Sequence, residues 1–433
     1  MHAKASKKII FVCSDCGGEH SKWAGRCSYC GAWNTLKEVE QFADSPGGRS
    51  EKAKPLRLAE IKDNATPRFS SGLEEFDLVS GGGLVAGSVT LLGGQPGIGK
   101  STLVWQISAH LSTPVVYIAA EESPEQLKIR AARLGGKTDE LIIFDNPDVT
   151  SWLNELEKIK PALLIIDSIQ TVFDPTLPGS SGSIIQVKET ALKIIRVAKK
   201  LNLATILIGH VTKEGEVAGP KTLEHLVDAV FYLDGERGQS ERFLRAQKNR
   251  FGPTDEMGVL RLTEKGFVSA ADFGRLSPEN KLPLGVARTA VVEGSRVYFV
   301  EVQALVTKSS YNFPRRNCVG YDFNRLEMLL AILNQRTKVN LSSYDVFVNI
   351  AGGYKLKDPI GDLAVIGALA SAYTKKSISG KLLSLGEIDL AGRIHLPESA
   401  KKIIKAAQKL GYGVPVDKNA EIPLFLSGIF REI

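Results

Sequence analysis

No stretch of this chain holds the roughly 20 consecutive apolar residues that a membrane-crossing helix needs. The cationic opening MHAKASKK is followed by only five apolar residues, Ile9 to Cys13, too few for the core of a secretory leader. The expected location is therefore the cytoplasm, with no membrane partner. Cysteine is scarce, five in 433 residues, and four of the five fall between positions 13 and 30. In a reducing compartment such a cluster points to metal rather than to a disulfide framework. No acidic excess exists either: the net charge is +7, which favours a polyanionic partner. At 43% hydrophobic and 24% charged the composition is globular, and the length exceeds one ordinary core, so two or three domains are expected.

The cysteines read C-x2-C, ten residues, C-x2-C: Cys13, Cys16, Cys27 and Cys30. Two intervening residues let a tight turn aim both thiolates at one cation, and four thiolates complete a closed tetrahedral zinc site with no position for chemistry. The role is structural, and the metal supplies folding free energy that so small a module lacks. His20 and Trp23, inside the loop, read as a polar surface residue and a packing aromatic, and Cys318 receives no role. Residues 46–66 are charged and nearly free of aromatics, a linker.

SVTLLGGQPGIGKSTLVWQISAHL, from Ser88, is an apolar strand, a glycine turn and a helix with Leu103, Val104, Ile107 and Leu111 at helical spacing. Gly94, Gln95, Pro96, Gly97, Ile98, Gly99, Lys100, Ser101 and Thr102 form the loop, matching G-x-x-x-x-G-K-[ST]. Its backbone N–H groups converge on phosphate oxygens, Lys100 neutralises the β- and γ-phosphates, and the Ser101 hydroxyl ligates Mg²⁺. ATP, Mg²⁺ and Zn²⁺ are thus the expected cofactors. PALLIIDS reads as a buried parallel strand whose carboxyl end sets Asp167 beside the loop as the second magnesium ligand. VVYIAAEES ends in Glu121 and Glu122, of which Glu121 is favoured to orient the attacking water and Glu122 is the fallback. LATILIGHVTK ends at His210, where a γ-phosphate sensor and a merely satisfied histidine both fit.

Residues 173–190 and 212–225 read as flexible stretches at this same sheet edge and carry Lys188, Lys213 and Lys221, candidates for DNA contact. ERFLRAQKNRFG reads as a late strand of the sheet with MGVLRLTEKGFV as its hairpin partner. Lys248 and Arg250 then sit far from a loop that already has Lys100. Such a cation pair suits a neighbouring subunit's γ-phosphate, and head-to-tail contacts of that kind close into rings or run into filaments.

The zinc knuckles, GGQPGIGKST, YIAAEES, LLIIDS, GHVTKEG and KNRFG, in this order, closely resemble the bacterial RadA/Sms family, RecA-like ATPases of recombinational DNA repair. The resemblance implies a hexameric ring related to DnaB-type helicases. It also implies translocation on single-stranded DNA and branch migration of recombination intermediates with RecA, with Lys248 and Arg250 acting across the subunit interface. From about position 280, GYDFNRLEMLLAIL, DVFVNIAGGYKLKDPIGDLAVIGALASA and LSLGEIDLAGRIHLPESAKKIIKAA resemble the proteolytic domain of Lon. Lys401 falls where that family's catalytic lysine belongs, but the nucleophile position falls at or next to Gly361, and a lysine without a hydroxyl partner cannot carry acyl transfer. The domain reads as a retired peptidase, and KSSYNFPRRN adds Lys308, Tyr311, Arg315 and Arg316 as further DNA candidates.

The expected architecture is α/β: a zinc ribbon at 1–45, a linker at 46–66, a RecA-like P-loop ATPase core at 67–275 and a Lon-like α+β domain at 276–433. The expected function is a DNA-dependent ATPase motor on single-stranded and branched DNA. A nucleotide-gated DNA-binding remodelling factor that does not travel is the alternative, and an ATP-dependent peptidase is a second.

Overall fold

The computed structural model describes residues 7–13, 19–29, 31–42, 67–210, 223–236, 238–270, 272–274, 276, 279–311, 313–415 and 420–430. The chain divides into two units, residues 1–234 with 242–269, and residues 235–241 with 270–433. The division thus falls just before the expected position 275. The proposed linker at 46–66 lies outside the described residues.

At the N-terminal end β1 (Lys7–Cys13) pairs antiparallel with both β2 (Glu19–His20) and β3 (Leu36–Phe42). Then follow β4 (Arg68–Phe69), α1 (Glu74–Ser80), β5 (Leu84–Val85), β6 (Val89–Gly94), α2 (Lys100–His110), β7 (Val115–Ala119), α3 (Pro124–Leu134), β8 (Leu141–Phe144), α4 (Leu156–Ile159), β9 (Leu163–Asp167), α5 (Ile184–Lys200), β10 (Ala204–His210), β11 (Ala229–Asp234), β12 (Glu241–Asn249), β13 (Met257–Thr263) and β14 (Gly266–Ser269).

Nine of these strands form one sheet in the order β14-β13-β12-β11-β6-β10-β9-β7-β8. The strands from β8 to β11 run parallel, and β12 turns back antiparallel on β11. The parallel strands are apolar at nearly every position because helices cover both faces, so alternate residues of one strand enter different cores. On one face Leu92, Tyr117, Ile165 and Ile208 pack with Leu103, Val104, Trp105 and Ile107 of α2. On the other, Leu91, Val116, Ile118, Ile166 and Leu207 pack with Val187, Ala191 and Ile194 of α5 and with Trp152. The α2 spacing expected from the sequence is borne out, with Leu103, Val104 and Ile107 fully buried.

Residues 173–190 correct the expectation of a flexible stretch. From Ile184 onward they are α5, and Gln186 is buried, its amide bonded to the backbone of Asp174 and Leu177. The stripe Val187, Ala191, Ile194 selects a helix despite the preceding glycines and serines.

In the second unit β15 (Val286–Glu293), β16 (Arg296–Lys308), β17 (Arg316–Val319) and β18 (Tyr344–Ile350) form a sheet in the order β15-β16-β18-β17, in which only β17 and β18 pair parallel. Helix α6 (Phe323–Arg336) follows β17, and α7 (Asp362–Thr374), apolar almost all round, packs on β15 and β16. The unit continues with β19 (Glu387–Ile388), β20 (Ile394–His395), α8 (Ala400–Lys409) and α9 (Ile422–Ile429). The α+β expectation for this unit holds.

Candidate active site

β6 delivers its carboxyl end to residues 94–99 at the middle of the sheet, flanked by β10 and β11 where the strand order reverses, the place at which α/β sheets bind ligands. The loop is glycine-dependent for two different reasons. Gly99, with φ 112°, caps α2 where a Cβ would meet the Phe267 ring at 2.7 Å, whereas at Gly97 a Cβ would meet nothing within 4 Å and it is the φ of 77° that favours glycine. The crown formed by Pro96 and Gly97 is exposed, and Ser101 and Thr102 open α2 half-buried beneath it.

Lys100 is folded under this crown, 3% exposed. Its ammonium donates to Gly94 O at 2.9 Å and Gln95 O at 3.1 Å and meets His210 Nδ1 at 3.1 Å. Burial lowers its pKa to about 8, against the pull of Asp167 and Glu121. His210 reaches the other way as well, with Nε2 3.2 Å from Glu121 Oε1. Because an ammonium can only donate, one neutral tautomer satisfies both contacts: Nδ1 accepts from Lys100 and the Nε2–H donates to Glu121. Ser168 Oγ donates to the same Glu121 oxygen. The hydrogen bond from His210 is the largest influence holding the Glu121 carboxyl below its usual range, so Glu121 is an ionised acceptor. Glu122 faces elsewhere, ion-paired with Arg130 on α3. Of the two acids, Glu121 is the one brought to the loop.

Asp167 ends β9 only 4% exposed. Tyr117 donates its hydroxyl to Oδ2 at 2.7 Å, while Oδ1 has no hydrogen-bond partner. A buried, unpaired carboxylate oxygen next to a phosphate-binding loop fits a divalent cation, with Ser101 as the companion ligand. Burial and Asp167 together push the Tyr117 phenol far up, so it remains a donor.

The residues of the KNRFG segment make different contacts. Lys248 donates to Glu224 O at 2.8 Å and Val227 O at 2.7 Å, with His225 O at 3.5 Å, tying β12 to the turn at 223–227 of its own chain. Asn249 donates to Val79 O and Ser80 O at the end of α1. Gly252 passes so close to Gly81 that a Cβ would sit 2.9 Å from its Cα. Arg250 alone of the pair of cations projects outward, 63% exposed, with one long 3.5 Å contact to Asp228.

At the ribbon, Cys13 and Cys27 are buried in one small cluster with Leu36. Cys13 Sγ lies 3.1 Å from Thr35 Oγ1, and His20 Nε2 lies 3.4 Å from Cys27 Sγ. Two thiols converging in so small a core fit a thiolate metal site, whose other expected ligands, Cys16 and Cys30, lie outside the described residues. Trp23 is 60% exposed and thus a surface residue, not the expected packing aromatic. Lys213 and Lys221 also lie outside the described residues, and Lys188 is exposed on α5.

In the second unit Lys308 is exposed, the Arg315 guanidinium stacks over Tyr311 at 4.4 Å and Arg316 pairs with Glu327 at 2.5 Å. Gly361 is buried, and a Cβ there would meet Leu356 Cδ2 at 2.5 Å. Lys401 is 82% exposed, 3.5 Å from Glu398. Cys318 Sγ rests against Tyr321 O.

Sequence reasoning missed Tyr117, Ser168 and Asp228. Tyr117 was visible as the one polar-tipped residue in an otherwise aliphatic strand, but nothing in the chain order said which carboxylate it would meet.

The AAA domain family matches residues 54–216, and the rubredoxin metal binding domain family matches residues 11–38. DNA repair protein RadA of Streptococcus pyogenes serotype M1 is 41% identical over 425 residues, covering 96% of this chain and 94% of that protein. DNA repair protein RadA of Campylobacter jejuni subsp. jejuni serotype O:2 is 40% identical over 431 residues, covering 97% and 94%. Among solved structures, the KaiC-like protein PH0186 of Pyrococcus horikoshii OT3 aligns with TM-score 0.41 and 23% identity over 47% of this chain and 99% of its own. The RadB recombinase aligns with TM-score 0.37 and 24% identity over 46% and 99%. Among the described residues no helix is long and apolar enough to cross a membrane.

Proposed function

The chain belongs to the RadA family of DNA repair proteins, and from that premise we propose that it is a DNA-dependent ATP hydrolase whose sites are completed between subunits. The carrying observation is the chain of contacts Lys100–His210–Glu121–Ser168, which gathers a phosphate-binding cation and an ionised carboxylate around one loop. In this reading the loop N–H groups and Lys100 hold the phosphates, and Ser101 and Asp167 hold Mg²⁺. Glu121 takes the proton of a water whose oxygen attacks the γ-phosphorus as the bond to the β,γ-bridging oxygen breaks. Mg²⁺ neutralises charge on the phosphates when bound. Arg250 serves the site of the next subunit, which its exposure supports, whereas the three carbonyls around Lys248 support an anchoring duty within its own chain.

The wider reading is a hexameric ring that moves on single-stranded DNA and promotes branch migration with RecA, acting in the cytoplasm. Lys188, Lys213, Lys221, Lys308, Arg315 and Arg316 would contact the DNA backbone. The Tyr311–Arg315 stack supports this for the second unit, since such a pair offers a planar cation and a ring to phosphate and base. The absence of peptidase activity from that unit, which resembles Lon in sequence, is supported by Gly361, which has no hydroxyl, and by Lys401, which is turned to solvent.

The test is ATP hydrolysis by purified protein with Mg²⁺. Stimulation by single-stranded DNA, abolished in Lys100→Ala, is expected; hydrolysis indifferent to DNA would overturn the proposal. Strand displacement on a forked substrate separates the motor from the non-travelling remodelling factor.

A further inference from the structure

We infer that Tyr117 is a positioning residue for the divalent cation of the nucleotide site: it spends one oxygen of Asp167 inside the protein and leaves the other for the metal. The inference rests on the proposed magnesium-nucleotide reading of the loop.

β7 and β9 are parallel neighbours with Ala119 opposite Asp167 and Tyr117 opposite Ile165. Tyr117 is therefore two residues before Asp167's partner and on the same face, within diagonal reach. Its ring is 1% exposed and meets Trp105 of α2 edge-on, with centroids 6.3 Å apart. Trp105 belongs to the helix that begins with Lys100 and Ser101, so the same element that presents the phosphate loop also fixes the tyrosine. The hydroxyl donates to Asp167 Oδ2 at 2.7 Å, and Asp167 Oδ1 is buried without a hydrogen-bond partner.

Without a metal, a carboxylate in that position relieves its unpaired oxygen by rotating toward another donor. The phenol blocks rotation by holding one oxygen. It does so as a neutral donor, which matters because a lysine or arginine there would repel the cation it was meant to help. For packing alone phenylalanine would fill the strand position equally well, so the oxygen is explained by Asp167 and not by the core. Outer-sphere partners of this kind typically change metal affinity by about 10- to 100-fold when removed.

The test is the Mg²⁺ requirement for binding a non-hydrolysable fluorescent ATP analogue. Tyr117→Phe removes one oxygen from a packed ring and keeps the core volume. The Mg²⁺ concentration that half-restores tight binding should rise by about 10- to 100-fold, with affinity in EDTA and the melting temperature close to wild type. Tyr321→Phe, which removes a hydroxyl from Asp362 in the other unit, is the control and should leave the requirement unchanged. A requirement within twofold of wild type in Tyr117→Phe would overturn the inference, as would an equal loss with Mg²⁺ and with EDTA. If the wild type itself bound the analogue identically with and without Mg²⁺, the magnesium-nucleotide reading would fall with it.

Discussion

Replacing Lys248 by methionine separates its two readings, the anchor within a chain and the finger between chains. Methionine keeps most of the stem and removes the ammonium, leaving Glu224 O and Val227 O without a donor now 2.8 and 2.7 Å away. Hydrogen bonds from a charged group contribute about 1.5–3 kcal/mol each when shielded. The turn is partly open to water, so we take about 2 kcal/mol for the set. For a unit of this size that is a fall in melting temperature of about 4–8 °C. All four tryptophans, Trp23, Trp33, Trp105 and Trp152, lie in the first unit, so tryptophan fluorescence in urea reads the unit that carries Lys248. Arg250→Ala, by contrast, gives up one 3.5 Å contact on an exposed side chain and should stay within about 0.5 kcal/mol of wild type while losing turnover. Wild-type stability in Lys248→Met together with turnover abolished as fully as in Arg250→Ala would refute the anchoring argument and return Lys248 to the interface.

Glu121→Gln should reduce turnover by about 10²–10⁴-fold with ATP binding retained, and Glu122→Gln should lose only what its ion pair with Arg130 contributes to stability; the opposite order in steady-state kinetics would exchange their roles. Lys100, with its pKa lowered to about 8 by burial, is largely ammonium below that pH and largely neutral above it. Phosphates restore the ammonium, so binding takes up about half a proton near pH 8, and ATP affinity falls between about pH 8 and 10.5 by at most tenfold per unit. Calorimetry in buffers of different ionisation enthalpy measures this, and no uptake at pH 8 would contradict it. Gly361→Ser should not create a peptidase, because Leu356 fills the space and Lys401 faces solvent; it should instead destabilise the second unit by about 1–3 kcal/mol. Degradation of an unfolded protein by this variant would overturn that account.

Features carried by local chemistry were legible in the sequence. The glycines and Lys100 announce a phosphate loop whatever surrounds them, and the aliphatic run before Asp167 could only be a strand covered on both faces. Glu121 was favoured over Glu122, and the structure separates the two: Glu122 is drawn to Arg130 of the helix that follows it, while Glu121 meets His210 and Ser168. Features that depend on distant neighbours were not legible. Lys248 meets carbonyls more than 20 positions earlier, and Tyr117 meets Asp167 through the register of two strands. The start of α5 was hidden because glycine and serine dominate residues 179–183, while the burial of Gln186 and Val187 decides the matter.

Sharing of the ATP site between subunits is tested most directly by mixing Lys100→Ala with Arg250→Ala, each inactive by itself. Random assembly in a head-to-tail ring gives about a quarter of interfaces both an intact loop and an intact arginine. ATP hydrolysis should return on mixing, up to about that fraction of wild type. A mixture no more active than its separate components would contradict the account.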